Sequence, residues 1–238
     1  MTDVPGGALL AAFAFVALVS AAQAVESCGG ALTFDGENDI RLMRVAPGAG
    51  RVHFVAGPLA KIPGCPSAAP ACLLKNFLVP GDEVLAGAAQ GGFVCVTFRA
   101  GKGRETSGFL PAASLAAVVP VTPKITDWAG KWARASEAEI EIFVKGDTLD
   151  ISGDATYGAR DPVRVKSGGV NLGNIAGDAK PRGNAAALGE GYDGAKSPAG
   201  LNQSDCKVRL RLFGRYLVAE DNLACGGHNV SFTGVYVK

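Results

Sequence analysis

The chain has 238 residues, is 48% apolar and 19% charged, and sets 23 Lys and Arg against 22 Asp and Glu for a formal net charge of +1. That balance leaves no electrostatic footprint for nucleic acid, whose binding domains are strongly basic. With 33 Gly, 13 Pro and no long amphipathic helical repeat, the composition is that of a β-rich, loop-rich protein.

Residues 1–24 read as a secretory leader. Leu9 to Val19 is an apolar run of h-region length, and Ala22-Gln23-Ala24 is a cleavage site of the A-x-A type. The run is too short to span a bilayer, so no stable membrane insertion is expected after cleavage. The n-region Met1-Thr2-Asp3-Val4-Pro5 lacks the usual positive charge, and Glu26-Ser27 before Cys28 does not make a lipobox. Cleavage before Val25 leaves about 214 residues, enough for one large or two small domains, in a periplasmic or secreted setting.

All 6 cysteines lie after the leader, and an even count in an exported chain points to disulfides. Four sit early (Cys28, Cys65, Cys72, Cys95) and two late (Cys206, Cys225), so two bridges are expected in the first half and one in the second. Cys72–Cys95 with Cys28–Cys65 is the expected early pairing, and Cys65–Cys72 is also sterically open. A zinc site is not expected: there is no C-x-x-C, and the 2 histidines, His53 and His228, stand far apart. No cofactor is expected either.

Along the first half, Glu37 to Leu42 and Arg51 to Val55 are short strand candidates around a Pro47-Gly48-Ala49-Gly50 turn. Asp35, Glu37 and Asp39 lack the remaining spacing of a calcium loop and read as a solvated turn. Pro63 to Cys72 is a proline-rich loop that a disulfide would staple. Phe77 to Leu85 reads as strand, turn, strand, and Gly91 to Phe98 as the next strand. Gly81-Asp82-Glu83-Val84, Gly92-Phe93-Val94-Cys95-Val96 and Gly108-Phe109-Leu110-Pro111 with Leu115 together resemble the bacterial SH3-like family over residues 73–118. The resemblance implies a small β-barrel that binds cell-wall peptides or glycans, or docks other domains. Phe93 and Phe109 would be its candidate binding aromatics, although phenylalanine is more often buried.

A proline-punctuated linker at 119–126 separates the first domain, 25–118, from the second, 127–238. In the second, Glu139 to Val144 and Leu149 to Thr156 alternate as a hairpin around Lys145-Gly146-Asp147. Val163-Arg164-Val165 and Val170-Asn171-Leu172 read as another hairpin. The stretch 176–204, rich in Gly, Ala and Asn, reads as a flexible loop. It contains Gly189-x-Gly191-x-x-Gly194, without the strand and helix that a dinucleotide site needs.

The end of the chain is the most legible part. Cys206, Val208, Leu210 and Leu212 alternate with Lys207, Arg209 and Arg211, and Gly214-Arg215 make a tight turn. Setting 213 against 216 puts Leu212 opposite Leu217, Leu210 opposite Ala219 and Arg209 opposite Glu220. It also brings Cys206 near Cys225, and a bridge between them is expected. Gly214, Tyr216, Leu217, Asp221, Asn222, Cys225, Gly226, Gly227, Asn229, Val230, Phe232, Gly234 and Tyr236 form a pattern similar to an uncharacterised β-domain of exported proteobacterial proteins.

The fold expected is therefore all-β: an SH3-like small barrel followed by a seven- or eight-stranded antiparallel β-barrel or sandwich. The expected function is non-catalytic binding of peptidoglycan or an envelope protein, with His228 and Asn229 as candidate contacts on the 225–229 loop. Inhibition of a lysozyme or protease, and cell-wall hydrolysis, are the alternatives. A hydrolase triad could be drawn from Asp221, Asn222, His228 and Ser231, but there is no nucleophile elbow, Asp221 and Asn222 read as turn residues and His228 as a loop residue, so no catalytic residue is assigned.

Overall fold

The computed structural model describes residue 28 and residues 40–101, 105–134, 137–191, 194–196 and 198–238. The leader, the Asp35–Asp39 segment and Tyr192-Asp193 lie outside the described residues. The fold is all-β.

The first half contributes seven strands: β1 (Arg41–Val45), β2 (Val52–Val55), β3 (Leu73–Leu78), β4 (Glu83–Gln90), β5 (Phe93–Arg99), β6 (Glu105–Pro111) and β7 (Leu115–Ala117). They form one curled antiparallel sheet in the order β3-β2-β6-β5-β4-β1-β7. β2 sits between β3 and β6, and β1 between β4 and β7, so the two earliest strands are woven into the 73–118 segment. Val45, Val52, Phe54, Leu78, Val84, Val94, Val96 and Leu110 fill the concave face. A register shift between Ala86 and Ala89 on β4 lets the sheet bend over them.

A second, smaller cluster lies on the other side, where Val55, Cys72 and Phe109 are buried against Cys28, Cys65, Cys95 and Phe93. The disulfides here are Cys28–Cys95 and Cys65–Cys72. They replace the Cys72–Cys95 and Cys28–Cys65 pairing expected from the sequence and select the Cys65–Cys72 alternative. The sheet decides this: Cys95 faces Phe109 across β5–β6, and the loop before β3 turns Cys72 back on Cys65.

The second half begins with α1 (Ile125–Trp128), followed by β8 (Gly130–Arg134), β9 (Ala138–Lys145), β10 (Thr148–Tyr157), α2 (Pro162–Ser167) and β11 (Asn171–Ala179). It continues with β12 (Ala185–Gly191), β13 (Gly194–Lys196), β14 (Cys206–Phe213), β15 (Tyr216–Asp221) and β16 (Gly234–Tyr236). Two antiparallel sheets result, β11-β10-β9-β8 and β13-β12-β14-β15-β16. They enclose one core in which Trp128, Trp132, Ile140, Ile151, Leu210 and Phe232 are buried. Bridges at both margins, Ala133 to Val237 and Gly173 to Gly226, draw the sheets toward a barrel. The β14–β15 register is the expected one, with Leu212 on Leu217, Leu210 on Ala219 and Arg209 on Glu220.

Two expectations fail for identifiable reasons. Val163–Val165 is not a strand but lies in α2. Asp161 caps the helix by accepting from the backbone N–H of Val163 and Arg164, Pro162 occupies its first turn, and Gly168 ends it in the left-handed region at φ 71°. The 176–204 stretch is not a loop throughout: β11 runs to Ala179, and β12 and β13 follow. One of its glycines, Gly189, is there for close approach. A Cβ on Gly189 would lie 2.3 Å from Leu201 Cδ1 and 2.7 Å from the Cys206 carbonyl. The formal G-x-G-x-x-G thus sits on a strand pair.

The two halves share a buried seam. Ile40 and Leu85 meet Tyr216, Val218, Val235 and Val237. The Tyr216 hydroxyl donates to the Glu83 carbonyl (2.6 Å), Arg99 Nη1 donates to the Val235 carbonyl (2.9 Å), and Arg215 Nη2 donates to the Arg99 carbonyl (2.9 Å). Arg99 is only 2% exposed. β15 is consequently buried on both faces, which explains the unbroken apolar run Tyr216-Leu217-Val218-Ala219.

Candidate functional site

The end of the second half that carries Cys206–Cys225 concentrates the unusual chemistry. Its base is Asp221, at the end of β15. Oδ1 of Asp221 accepts from the Ser231 hydroxyl (2.7 Å), the Thr233 hydroxyl (2.6 Å) and the Thr233 N–H (3.1 Å), while Oδ2 is buried with no partner among the described residues. Arg134 donates to the Ser231 carbonyl (2.8 Å) and to the Thr233 carbonyl. The returning chain is thereby clamped onto β15.

Asn222 extends the clamp to the other side. Its Oδ1 accepts from the Lys207 N–H (3.0 Å), and its Nδ2 donates to the carbonyls of Asp205 (2.8 Å) and Gln203 (3.3 Å). A short polar side chain here does the work of a strand backbone, as Asn commonly does at turns. The Cys206–Cys225 bond lies directly beneath, with Cys225 4% exposed.

Between these anchors the loop bulges outward. Leu223 adopts φ 62° and is 71% exposed, and Asn229 adopts φ 64°. Asn tolerates the left-handed region through its local hydrogen bonding, whereas for Leu it costs roughly 1–2 kcal/mol. A leucine both strained and solvated is held by the surrounding clamp and not by burial of its own side chain. Beyond it, Gly226 crosses Gly173 so closely that a Cβ on Gly173 would lie 2.4 Å from the Cys225 carbonyl. Gly227 N–H donates to the Leu172 carbonyl (3.0 Å), and Asn171 Nδ2 donates to the His228 carbonyl (2.6 Å).

Beside this loop opens a solvent-facing cleft of about 370 Å³. Asn174, Glu190, Ser204 and Asp205 supply its polar lining, the disulfide and Gly226 one wall, and Leu172 an apolar edge that is 68% exposed. Glu190 stands opposite Cys206 in the β12–β14 register. Asp205 already holds its own turn by accepting from the Asn202 N–H (2.8 Å). Two carboxylates, an amide and a hydroxyl make this surface a hydrogen-bond acceptor for hydroxyl, amide or ammonium donors, with Leu172 at its edge for apolar contact.

Of the residues singled out in the sequence, Cys206, Cys225, His228 and Asn229 come together here. His228 and Asn229 are exposed on the loop, with the His228 carbonyl, not its ring, in the Asn171 hydrogen bond. Ser231 donates straight to Asp221 with no imidazole between them. Phe93 and Phe109 lie elsewhere. Phe109 is 2% exposed and packs over Gly57, where a Cβ would come within 2.8 Å of its ring, so it is a core residue and not a binding aromatic. Phe93 is half-buried beside it. Among the described residues no three His, Cys, Asp or Glu side chains converge as a metal site, and no helix is long and apolar enough to cross a membrane. The cleft residues Asn174, Glu190, Ser204 and Asp205 were not foreseen; their one sequence signal is the polar turn Asn202-Gln203-Ser204-Asp205 just before Cys206.

Comparison of the chain with protein-family models, with curated proteins and with solved structures found no match.

Proposed function

We propose that this is an exported, non-catalytic binding protein of the cell envelope, and that it engages peptidoglycan or an envelope protein through the cleft and loop at the Cys206–Cys225 end. The observation that carries this reading is Leu223, exposed on left-handed backbone and fixed by a disulfide and two side-chain clamps, immediately before Ala224 and Cys225, which line an acceptor-rich cleft. A preorganised surface of that kind binds without first losing loop entropy. Export is supported by the 1–24 leader, and three disulfides accord with an oxidising compartment. The SH3-like resemblance of 73–118 supports a wall-facing role for the first half. The same projecting Leu223 also supports a second reading, in which the loop is the plug of a lysozyme or protease inhibitor.

The test is retention of oxidised residues 25–238 on purified peptidoglycan and, separately, capture of partners from envelope extract, with Leu223→Asp as comparison. Retention or capture that the substitution abolishes supports the reading. No retention on either matrix, or retention indifferent to Leu223→Asp, removes it. Specific inhibition of lysozyme that depends on Leu223 selects the inhibitor.

A further inference from the structure

At one end of the first sheet, β3 pairs with β2 alone among the described residues and is an edge strand. Five of its six residues, Leu73 to Phe77, are exposed and only Leu78 is buried. Leu73 is 43%, Leu74 41% and Phe77 40% exposed. Edge strands are ordinarily blunted by shortness, proline, inward charge or a covering loop. β3 is of ordinary strand length, about 20 Å, and carries a single charge, Lys75.

The Cys72 carbonyl accepts from the Ala56 N–H (2.8 Å) and the Leu74 carbonyl from the His53 ring Nδ1 (2.8 Å). The register shifts between the His53–Phe77 and Val55–Leu73 pairs, so the middle of β3 bulges away from β2. As an edge strand, β3 turns its other side's N–H and C=O groups out of the sheet. Next to the buried Leu78, Phe77 places its side chain on the outer face. There the Arg51 guanidinium lies 4.7 Å from the Phe77 ring centroid and the His53 ring 5.5 Å from it. The Cys65–Cys72 disulfide holds the chain immediately before the strand.

The cations that the structure places at this edge are Lys75, on the strand itself, and Arg51, over the Phe77 ring. Neither has a carboxylate partner among the described residues. The edge thus offers two cations beside the exposed apolar side chains of Leu73, Leu74 and Phe77.

We propose that β3 is a docking edge for an extended acidic segment of a partner protein, which adds as an eighth strand. The outward main-chain groups of β3 supply the ladder. The partner's acidic side chains meet Lys75 and Arg51, and its apolar ones lie against Leu73 and Phe77. Strand addition takes affinity from the backbone and selectivity from alternate side chains, which is what this edge offers. The surface is separate from the cleft of the second half and of opposite chemistry, basic where the cleft is acidic.

The probe is a fluorescein-labelled acetylated octapeptide that alternates threonine with isoleucine, glutamate, valine and glutamate, titrated by anisotropy against oxidised residues 25–238. Two companions are the same peptide with lysine for glutamate and the same peptide N-methylated at alternate residues. The acidic peptide is expected to bind at least about tenfold more tightly than the lysine peptide. Arg51→Glu with Lys75→Glu should invert that preference, and N-methylation should abolish binding to the unaltered protein, a result that needs no variant to fold. Absence of saturable binding, equal affinity for the lysine peptide, or indifference to N-methylation overturns the proposal. So does a dimer of the chain alone that dissociates on Lys75→Pro, which would give the edge to a second copy. Retention on glycan strands that depends on Lys75 and is not competed by the peptide also overturns it.

Discussion

Removing the Cys206–Cys225 bond by the double substitution Cys206→Ala, Cys225→Ala should loosen the proposed binding end while leaving the fold intact. The two cysteines are separated by 19 residues, and closing a loop of that length removes about 11 cal/mol/K from the unfolded chain, or about 3 kcal/mol at room temperature. For a chain of this size that corresponds to a fall of about 6–12 °C in Tm. The β14–β15 ladder and the Asn222 clamp remain, so the loss concentrates in residues 223–229. Differential scanning fluorimetry reads the first effect and amide exchange the second, with the Gly227 N–H, now held by Leu172, as the reporter. The same reasoning orders the three bridges by their separations of 67, 19 and 7 residues, at about 4.4, 3.2 and 2.4 kcal/mol. An unchanged Tm with unchanged Gly227 exchange would refute the idea that this bridge sets the loop.

The seam offers a second test: Tyr216→Phe deletes the hydroxyl bonded to the Glu83 carbonyl and should cost about 1–3 kcal/mol by denaturant unfolding. A near-zero cost would show that the two halves do not depend on this bond. Gly173→Ala forces a Cβ to within 2.4 Å of the Cys225 carbonyl and should destabilise by about 1–3 kcal/mol, with chemical-shift changes at Gly226 and Gly227. No change there would mean that the crossing is looser than described. Alkaline pH supplies a fourth. Burial pushes the Tyr236 and Tyr216 phenols above their ordinary value of 10.0. A phenol with a higher folded than unfolded pKa stabilises the fold fully below about pH 10, and the contribution is lost as pH rises above that, at up to about 1.4 kcal/mol per pH unit for each group. Phenolate absorbance from these two should therefore appear only with unfolding; their ionisation in the folded protein would contradict the burial.

Legibility in the sequence followed the kind of constraint involved. The 206–221 hairpin could be read residue by residue because its apolar and charged faces agree on one register, and a slip would bury arginines. α2 was hidden because Val163 and Val165 imitate strand alternation, although Asp161-Pro162 and Gly168 bracket a helix. β11 to β13 were hidden because their Gly and Ala content reads as loop, although Gly173 and Gly189 stand where backbones nearly touch. The early cystines could not be paired, since Cys28 and Cys95 are neighbours only through the sheet. At the candidate site, Asn222, Cys225, Gly226 and Gly227 announced a stapled turn. Asn174, Glu190 and Asp205 come from three separate segments and converge only in the folded chain, so no local pattern could reveal them.

The most direct test is chemical-shift mapping of isotope-labelled residues 25–238 with soluble peptidoglycan fragments and, in parallel, with any envelope protein captured from extract. The account expects perturbations that saturate and cluster on Leu172, Asn174, Glu190 and residues 223–229. Perturbations confined to other surfaces, or none with either ligand, would contradict the assignment of this end as the binding site.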